Sequence, residues 1–309
     1  MLKVFRGAAD SIETIDEIVP GSWVHCVQPS ADDLVRLQAY GIPGELLTHV
    51  NDLDERPRVE REGEKALIVL HFPYMQDAGA DIPFITVPLT IVVTSDVIIT
   101  SVPKATGFLQ RFSGGTVRGL STNNPSRFVL HLLQYVAGEY LARVSEIDAA
   151  VDRLEDQLQR SLRNREVLEL LKYEKSLVYF TTALRSNELV LERLRRGNIL
   201  QWSPDDEDLI DDVLIEVRQA IDKVDISSNI LGQMMDAFAS IVANNLNVVL
   251  KFLAAITIIV TPPVIIGSFY GMNVALPGAN SPTAFASIVA VSILMSIAVA
   301  IIFWRKDWL

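Results

Sequence analysis

The stretch 252–304 contains no Asp, Glu, Lys, Arg or His. Two apolar runs lie within it, at residues 252–270 and 283–304, and each is close to the ~20 residues that a helix needs to cross a ~30 Å hydrocarbon layer. The uncharged segment 271–282 separates the two runs. The pattern predicts two C-terminal transmembrane helices, at residues 251–270 and 283–304, joined by a short loop.

Charged residues at the outer ends of the two runs predict the orientation of these helices. Lys251 precedes the first run, Arg305 and Lys306 follow the second, and the connecting segment has no basic residue. Because Lys and Arg are enriched on the cytoplasmic side of membrane helices, both termini are expected in the cytoplasm and the loop 271–282 outside the cell. The N-terminus shows neither a secretory signal nor a transit-peptide pattern, so residues 1–250 are expected to stay inside.

Acidic and apolar residues are segregated along the chain. The full sequence has 27 basic and 38 acidic residues and a net charge of −11. Residues 1–250 hold 24 of the basic and 37 of the acidic residues, a net charge of −13. The high apolar content excludes a disordered acidic chain, and the lone Cys26 excludes a fold stapled by its own disulfides. We expect an acidic cytoplasmic part without a nucleic-acid partner.

The part before the apolar runs divides into two patterns. Residues 1–125 predict an α+β domain, because short strand-like runs alternate with Gly and Pro and with a helical pattern at 32–40. From residue 126 to 250 apolar residues recur every three or four positions, as in long helices. No strong helix breaker follows Asp205 until Pro262, so one stalk helix is predicted from about residue 205 into the first membrane run. The strand-like runs are 23–27, 66–72, 84–93 and 97–102.

The predicted fold class is therefore an α+β cytoplasmic head, a long helical stalk and a two-helix C-terminal transmembrane hairpin, followed by a basic tail at 305–309. Two helices per chain cannot enclose a water-filled path, so conduction would need several copies around an axis. If Asn247 faces that axis, steps of three and four residues bring neutral oxygens and apolar side chains to the same side, as in a narrow pore. The predicted pore-lining residues are Asn247, Leu250, Ala254, Thr257, Thr261, Val264 and Ser268.

No pattern in the sequence indicates catalysis. The chain has no Walker A pattern, no dinucleotide fingerprint and no nucleophile elbow. The histidines at positions 25, 49, 71 and 131 are scattered without a pair at i, i+4, which favours core or surface residues over metal ligands. Cys26 is predicted to be a small buried residue. An enzymatic function is not expected.

The first membrane run ends at Tyr270 and is followed by Gly271-Met272-Asn273, and the basic tail ends in Lys-Asp-Trp-Leu. A Gly-Met-Asn tripeptide after an aromatic residue, between two C-terminal membrane runs, resembles the CorA magnesium transporter family, and the likeness in architecture covers the whole chain. The resemblance implies an oligomeric channel, a homopentamer in the prokaryotic plasma membrane, that imports Mg²⁺ down its electrochemical gradient. It further implies that Asn273 supplies a ring of selecting oxygens, that Gly271 and Met272 add backbone carbonyls, and that Tyr270 braces the loop.

At the start of the first membrane run and just before it, the resemblance matches Asn247 to the family's cytoplasmic-side pore asparagine, and Leu250 and Leu253 to its hydrophobic neck. Neutral oxygens suit Mg²⁺, which keeps much of its water shell when bound. Two positions depart from the family's pattern. Thr261 stands where better-known members have a methionine constriction, and the loop after Asn273 lacks the Met-Pro-Glu-Leu of many magnesium-transporting members.

The missing glutamate leaves the transported ion open, because the zinc-transporting branch also has a Pro-Gly loop without it. Zn²⁺ or Co²⁺ transport, with or without proton coupling, is therefore an alternative within the same class. An alternative of another class is a membrane-anchored metal sensor or scaffold. The polar face of the first membrane run argues against a simple anchor, which has no use for it.

A run of acids opens the predicted stalk helix, between Asp205 and Asp212. By itself it is explained by a solvated helix start, since acids stabilise the positive end of the helix dipole. The resemblance implies a second role, because family members bind regulatory divalent ions between cytoplasmic subunits. Asp208, Asp211 and Asp212 are the candidate ligands, with Mg²⁺ as both transported and feedback ion.

Overall fold

The computed structural model describes residues 1–8, 11–42, 50–113, 120–160, 164–197, 199–274, 278, 281–306 and 308. The strands in these residues are β1 (Leu2–Ala8), β2 (Ser11–Ile15), β3 (Ser22–Val27), β4 (Arg58–Glu62), β5 (Lys65–Met75), β6 (Phe84–Val93) and β7 (Val97–Val102). The helices are α1 (Ala31–Ala39), α2 (Phe108–Ser113), α3 (Pro125–Arg160), α4 (Asn164–Arg196), α5 (Pro204–Tyr270) and α6 (Ala284–Arg305). The chain forms two compact units, Met1–Gln233 and Met234–Leu309.

The first unit contains a mixed seven-stranded sheet in the order β2-β1-β3-β7-β6-β5-β4. β3 and β7 are parallel, with Ser22 opposite Val97, and all other neighbours are antiparallel. Every residue of β7 is buried, as expected for a central strand covered on both faces. β5 and β6 form a long hairpin in which Met75 lies opposite Phe84.

The sequence predicted four of these strands. The runs at 23–27, 66–72, 84–93 and 97–102 correspond to β3, β5, β6 and β7, and the helical pattern at 32–40 corresponds to α1. β1, β2 and β4 were not predicted. β2 and β4 are the two edges of the sheet, and β4 reads Arg-Val-Glu-Arg-Glu. Charged residues on an edge strand discourage pairing with other chains, and they also hide the strand from a search for apolar runs.

Helices cover both faces of the sheet. On one face Leu37 of α1 packs in a cluster with Val24 and Cys26 of β3. On the other face Trp23 stacks on Phe5 with ring centroids 4.8 Å apart and meets Phe128 of α3 at 5.2 Å. Alternate residues of β3 therefore serve opposite faces, as the pleat of a strand requires.

The side-chain amide of Asn187 connects α4 to β5 by two hydrogen bonds. The Asn187 Nδ2 group donates to the carbonyl of His71 at 2.8 Å, and the Asn187 Oδ1 atom accepts from the His71 N–H at 2.9 Å. The ladder between β4 and β5 begins at the pair Arg58 and Val69 and does not reach His71. The amide of Asn187 thus supplies one donor and one acceptor to the strand, as a neighbouring strand residue would.

α5 begins with a capping box. Ser203 accepts from the N–H of Asp206 at 3.3 Å, and the Asp206 carboxylate accepts from the N–H of Ser203 at 3.1 Å. Pro204 stands at the first helical position, where no intrahelical N–H bond is lost. The helix runs unbroken through Pro262 and Pro263 to Tyr270. The prediction of one continuous stalk helix is confirmed.

Within the first unit, α5 packs an apolar stripe inward and makes ion pairs at its margins. Its buried apolar residues recur every three or four positions, as in an amphipathic helix, and they include Ile210, Val213, Val217, Ala220 and Val224. Arg218 pairs with Glu188 of α4 at 2.7 Å and with Glu192 at 3.1 Å. The Arg218 side chain is about half exposed and its ion pairs are screened by solvent, so burial of the stripe contributes most of the stability.

A buried polar chain links the two parallel strands at the centre of the sheet. Thr100 Oγ1 of β7 accepts from the Trp23 indole N–H at 2.8 Å and lies 2.8 Å from the Nδ1 atom of His25. Burial, and next the charge of Lys3, lowers the pKa of His25 to about 4. Because the Thr100 hydroxyl accepts from Trp23, its own hydrogen is free to be donated to the Nδ1 atom of His25. This hydrogen bond stabilises the neutral imidazole.

We expect this histidine to make the head sensitive to acid. Because the pKa of His25 is about 4 in the folded chain and 6.5 in the unfolded chain, the unfolded chain binds more protons between these values, and stability falls as the pH drops through this window. Going from pH 7 to pH 5, protonation of His25 removes about 2 kcal/mol. Denaturant titrations of the parent and of a His25→Leu variant at both pH values measure this loss of unfolding free energy. If the unfolding free energies of the two proteins differ by the same amount at pH 7 and at pH 5, the prediction is wrong.

Candidate functional site

The predicted pore residues all lie on the C-terminal part of α5 and are exposed in the single chain. They follow the three- and four-residue steps of one helix face, and the large apolar ones among them, Leu250, Leu253 and Val264, are more than half exposed. The full set is Asn247, Leu250, Leu253, Ala254, Thr257, Thr261, Val264 and Ser268. We call this set the α5 stripe.

The two threonines of the α5 stripe use their hydroxyl hydrogens within the helix. Thr257 Oγ1 donates to the carbonyl of Leu253 at 2.9 Å, and Thr261 Oγ1 donates to the carbonyl of Thr257 at 2.8 Å. A hydroxyl that has donated its hydrogen still has lone pairs to offer. Both threonines therefore present acceptors, the polarity that a cation or its water shell requires.

A groove of about 410 Å³ lies along this part of α5. Thr257, Thr261 and Val264 of the α5 stripe line it, together with Ile256 and Val260. The groove combines two acceptor hydroxyls with apolar walls. It lies on one helix and is open, so a closed path needs further walls from outside the chain.

α6 lies against the opposite side of α5. Ala255 is fully buried, and Ile259, one turn later, accepts a hydrogen bond at its carbonyl from Ser296 of α6 at 2.8 Å. Thr257 lies two residues from both, about 200° around the helix. The α5 stripe is therefore left uncovered by the hairpin partner, while the far side of α5 is used for packing.

The Gly-Met-Asn tripeptide forms the end of α5. The Gly271 N–H donates to the carbonyl of Gly267 at 3.0 Å, and the Met272 N–H donates to the carbonyl of Phe269 at 3.3 Å. A Cβ atom at Gly271 would lie 3.2 Å from that Gly267 carbonyl oxygen, tighter than nine in ten real Cβ contacts. Asn273 follows with an exposed side chain. Glycine thus allows a close helix end, beyond which the asparagine amide is accessible.

The predicted regulatory acids lie in the first turns of α5 but differ in what they bind. Asp211 forms a two-point ion pair with Arg195 of α4, at 2.6 and 2.8 Å. Asp208 and Asp212, one turn apart, are exposed. In the described part of the chain, no group of three or more His, Cys, Asp or Glu residues could hold a metal ion. A divalent ion at Asp208 or Asp212 therefore needs ligands from elsewhere.

The histidines and the cysteine behave as core residues where the structure describes them. Burial lowers the pKa of His71 and of His131, and that of His131 is lowered further by the nearby Arg127. Burial raises the pKa of the Cys26 thiol to about 12, so it is no thiolate ligand at neutral pH. His49 lies outside the described residues.

A larger cavity of about 1090 Å³ lies in the first unit, and none of the predicted site residues lines it. Its charged side chains are balanced between bases and acids: Arg111, Arg143, Glu139 and Glu216. Arg143 pairs with Glu139 at 3.4 Å and with Glu146 at 2.8 Å. Burial raises the pKa of Glu216, a hydrogen bond with Gln134 opposes this rise, and the charge of Asp212 adds to it.

Sequence reasoning missed two contributors to these sites. Arg195 was not predicted as a partner of the acids of α5, although its charge was the signal for such a pair. Ser296 was not singled out at all. Its signal was indirect: Pro263 in an apolar run leaves the carbonyl four residues earlier without its helix donor, and a serine in the second run can replace that donor.

By length and composition, two helices of the structure, α5 and α6, could each cross a membrane, and almost none of their apolar windows is buried. In keeping with this, the chain is similar to known membrane proteins. It is 29% identical over 294 residues to the cobalt/magnesium transport protein CorA of Methanocaldococcus jannaschii, covering 93% of this chain and 91% of that protein. A second relative, the protein of the same name from Thermotoga maritima, is 24% identical over 194 residues, 62% of this chain and 55% of that protein.

Solved structures show the same fold. The complete structure of the CorA magnesium transporter from M. jannaschii superposes with a TM-score of 0.87 at 24% identity, covering 100% of this chain and 99% of that one. The cytoplasmic domain of ZntB from Vibrio parahaemolyticus reaches a TM-score of 0.64 at 10% identity over 78% of this chain and 98% of that one. The predicted fold class is confirmed. The sequence model of the family described as CorA-like Mg²⁺ transporter protein matches residues 21–306. The chain therefore belongs to the CorA-like Mg²⁺ transporter family.

Proposed function

We propose that this chain is one subunit of a homopentameric, channel-like transporter that imports Mg²⁺ down its electrochemical gradient. The observation that carries the proposal is the α5 stripe, a line of polar and apolar side chains left exposed on the side of α5 opposite α6. Membership of a family described as Mg²⁺ transporters supports the ion, and the relatives named cobalt/magnesium transport proteins make Co²⁺ the first competitor to test.

Assembly follows from the cost of leaving the α5 stripe in lipid. Hydrocarbon offers no partner to the lone pairs of Thr257 and Thr261. Several copies arranged around an axis would enclose these groups in water and bury part of the apolar surface beside them. The number five rests on the family resemblance.

The chemistry of the path suits a hydrated divalent ion. Amide and hydroxyl oxygens, with the backbone carbonyls of Gly271 and Met272, can hold Mg²⁺ through its water shell without removing it. The membrane potential supplies the driving force, about 2.3 kcal/mol per charge for each 100 mV, or about 4.6 kcal/mol for a doubly charged ion. The chain therefore needs no nucleotide to import the ion, and we infer no catalytic reaction for it.

The proposed location is the prokaryotic plasma membrane, with both termini in the cytoplasm. In this arrangement residues 1–125 form the cytoplasmic α+β domain and 126–250 the cytoplasmic helices. Residues 251–270 and 283–304 cross the bilayer, 271–282 face outward, and 305–309 return to the cytoplasm. The support is the placement of Lys251, Arg305 and Lys306 at the outer ends of the apolar runs.

We further propose that internal divalent ions close the transporter. Residues 1–250 carry a net charge of −13, so copies brought together around an axis repel each other. An ion bridging Asp208 or Asp212 to a neighbouring copy would relieve that repulsion and stabilise the closed state by its higher affinity for it. Asp211 contributes less in this scheme, because Arg195 of its own chain already neutralises it.

The first prediction concerns assembly. In a chain with Cys26 replaced by alanine, single cysteines at Asn247 and at Thr261 should form cross-links between subunits in membranes, because both positions face the axis. A cysteine at Ala255 is the matched control: that residue is buried, on the α6 side of α5, and should give no cross-link. Gel electrophoresis after mild oxidation measures the result. Equal cross-linking at Ala255 and Asn247 would contradict an axial α5 stripe.

The second prediction concerns the outer site. Asn273→Ala should reduce Mg²⁺ uptake into proteoliposomes to background, since it removes the proposed selecting oxygens, while the exposed position leaves folding and assembly intact. Met272→Leu is the control, because only the backbone carbonyl of this residue is proposed to act. Uptake with Mg²⁺, Co²⁺ and Zn²⁺ in competition identifies the preferred ion. Full Mg²⁺ uptake by the Asn273→Ala protein would refute the site.

The third prediction concerns feedback. The double variant Asp208→Asn/Asp212→Asn should need an internal Mg²⁺ concentration about tenfold higher or more for inhibition, in the range of ordinary coupling between sites. Asp211→Asn is the matched control, since it removes the same charge but breaks only the pair with Arg195. Uptake at a series of internal Mg²⁺ concentrations measures both. If the double variant closes at the same concentration as the parent, these acids serve only as a solvated helix start.

A further inference from the structure

Two adjacent prolines interrupt the hydrogen bonding of α5 inside the apolar run. Pro262 and Pro263 have no N–H, so the carbonyls of Ile258 and Ile259, four residues earlier, lose their helix donors. In water such carbonyls would be hydrated, but hydrocarbon offers no donor. A helix that continues through both prolines to Tyr270 therefore needs donors from another source.

α6 supplies one of these donors. The Ser296 hydroxyl donates to the carbonyl of Ile259 at 2.8 Å, and this is the carbonyl that Pro263 leaves unpaired. Two other serines of α6 bond within their own helix: Ser292 donates to the carbonyl of Ile288 at 2.7 Å and Ser287 to that of Thr283 at 2.9 Å. Ser296 thus gives up the local bond usual for a helical serine and reaches across the hairpin.

The bond lies directly behind the groove of the α5 stripe. Ile259 lies midway in sequence between Thr257 and Thr261, which point away from α6 and line the groove. A shift or rotation of α5 at Ile259 moves both threonines, because the residues belong to the same helical turns.

We infer that Ser296 is a positioning residue for the ion pathway. Its hydroxyl replaces the donor removed by Pro263, and this bond, on the side of α5 that faces α6, fixes the position of Thr257 and Thr261 along the helix axis and their rotation about it. Without it, the Ile259 carbonyl has lost both donors, and α5 relaxes by kinking or turning at this point. The inference rests on the proposed transport function for its effect on uptake, but the hydrogen-bond replacement itself can be tested without transport.

The test is a double-mutant cycle between Ser296 and Pro263 in the full-length protein. Ser296→Ala in the parent should lower the melting temperature in detergent by about 2–4 °C, and should lower the maximal Mg²⁺ uptake rate severalfold while leaving the half-saturating concentration unchanged, since Asn273 is untouched. In a Pro263→Ala background the new N–H of residue 263 can donate to Ile259, so Ser296→Ala should have no effect on either quantity. Ser296→Thr keeps the hydroxyl and should restore both.

Two controls separate this role from general packing. Ser292→Ala removes a hydroxyl that bonds only within α6 and should leave uptake unchanged. In a Pro262→Ala background, which restores a donor to Ile258 and not to Ile259, Ser296→Ala should keep its full effect.

Three results would overturn the inference or locate the failure. If Ser296→Ala costs the same with Pro263 present or replaced, the hydroxyl does not act through the Ile259 carbonyl. If the melting temperatures show the coupling but the uptake rate does not change, Ser296 stabilises the hairpin without positioning the pathway. If the parent itself transports no divalent ion, the proposed function fails, while the coupling in melting temperature still decides whether Ser296 replaces the lost donor.

Discussion

Hydrocarbon provides no hydrogen-bond partner for a peptide group, and this requirement shapes the apolar end of the chain. It explains why α5 and α6 are helices, which satisfy their own backbone groups. It also explains why the two prolines of α5 need help from outside that helix, and why Thr257 and Thr261 bond back to carbonyls of their own helix. The lone pairs that these two hydroxyls still offer lie on the α5 stripe.

That stripe and the packing face of α5 divide the helix between two tasks. Ile259 accepts a hydrogen bond from α6 and Ala255 is buried on the same side, whereas the residues about 200° away are left exposed. Such a separation lets the proposed pathway side carry threonine and asparagine without weakening the hairpin. It also means that a change on the α6 side can reach the proposed pathway only through the backbone of α5.

The N-terminal end of α5 has a different electrostatic problem. Its first turns are rich in acids, and the structure neutralises them unequally. Asp206 closes the capping box with Ser203, Asp211 pairs with Arg195, and Asp208 and Asp212 stay exposed. Among the three predicted regulatory acids, Asp208 and Asp212 are therefore the ones left to bridge to another copy in the proposed scheme. The proposed feedback by divalent ions therefore depends on which of these carboxylates are already paired within their own chain. Their spacing in the sequence does not show this.

Sequence alone determined the features that repeat along the chain. The absence of charge over 252–304 predicted two membrane helices, the spacing of apolar residues predicted one long α5, and apolar runs predicted the inner strands β3, β5, β6 and β7. The edge strands β2 and β4 were not predicted, because their charged residues interrupt any apolar run. They become strands only by pairing with a neighbour. Seven of the eight stripe positions follow from helical steps that start at Asn247, and Leu253 was added by the family resemblance.

Contacts between distant residues were decided only by the tertiary structure. Arg195 meets Asp211, Asn187 completes the hydrogen bonds of His71, and Ser296 reaches Ile259. A periodic pattern shows which face of a helix is apolar, since that depends on neighbours in sequence. It does not show which polar group on another element comes within 3 Å, because that depends on how the elements pack.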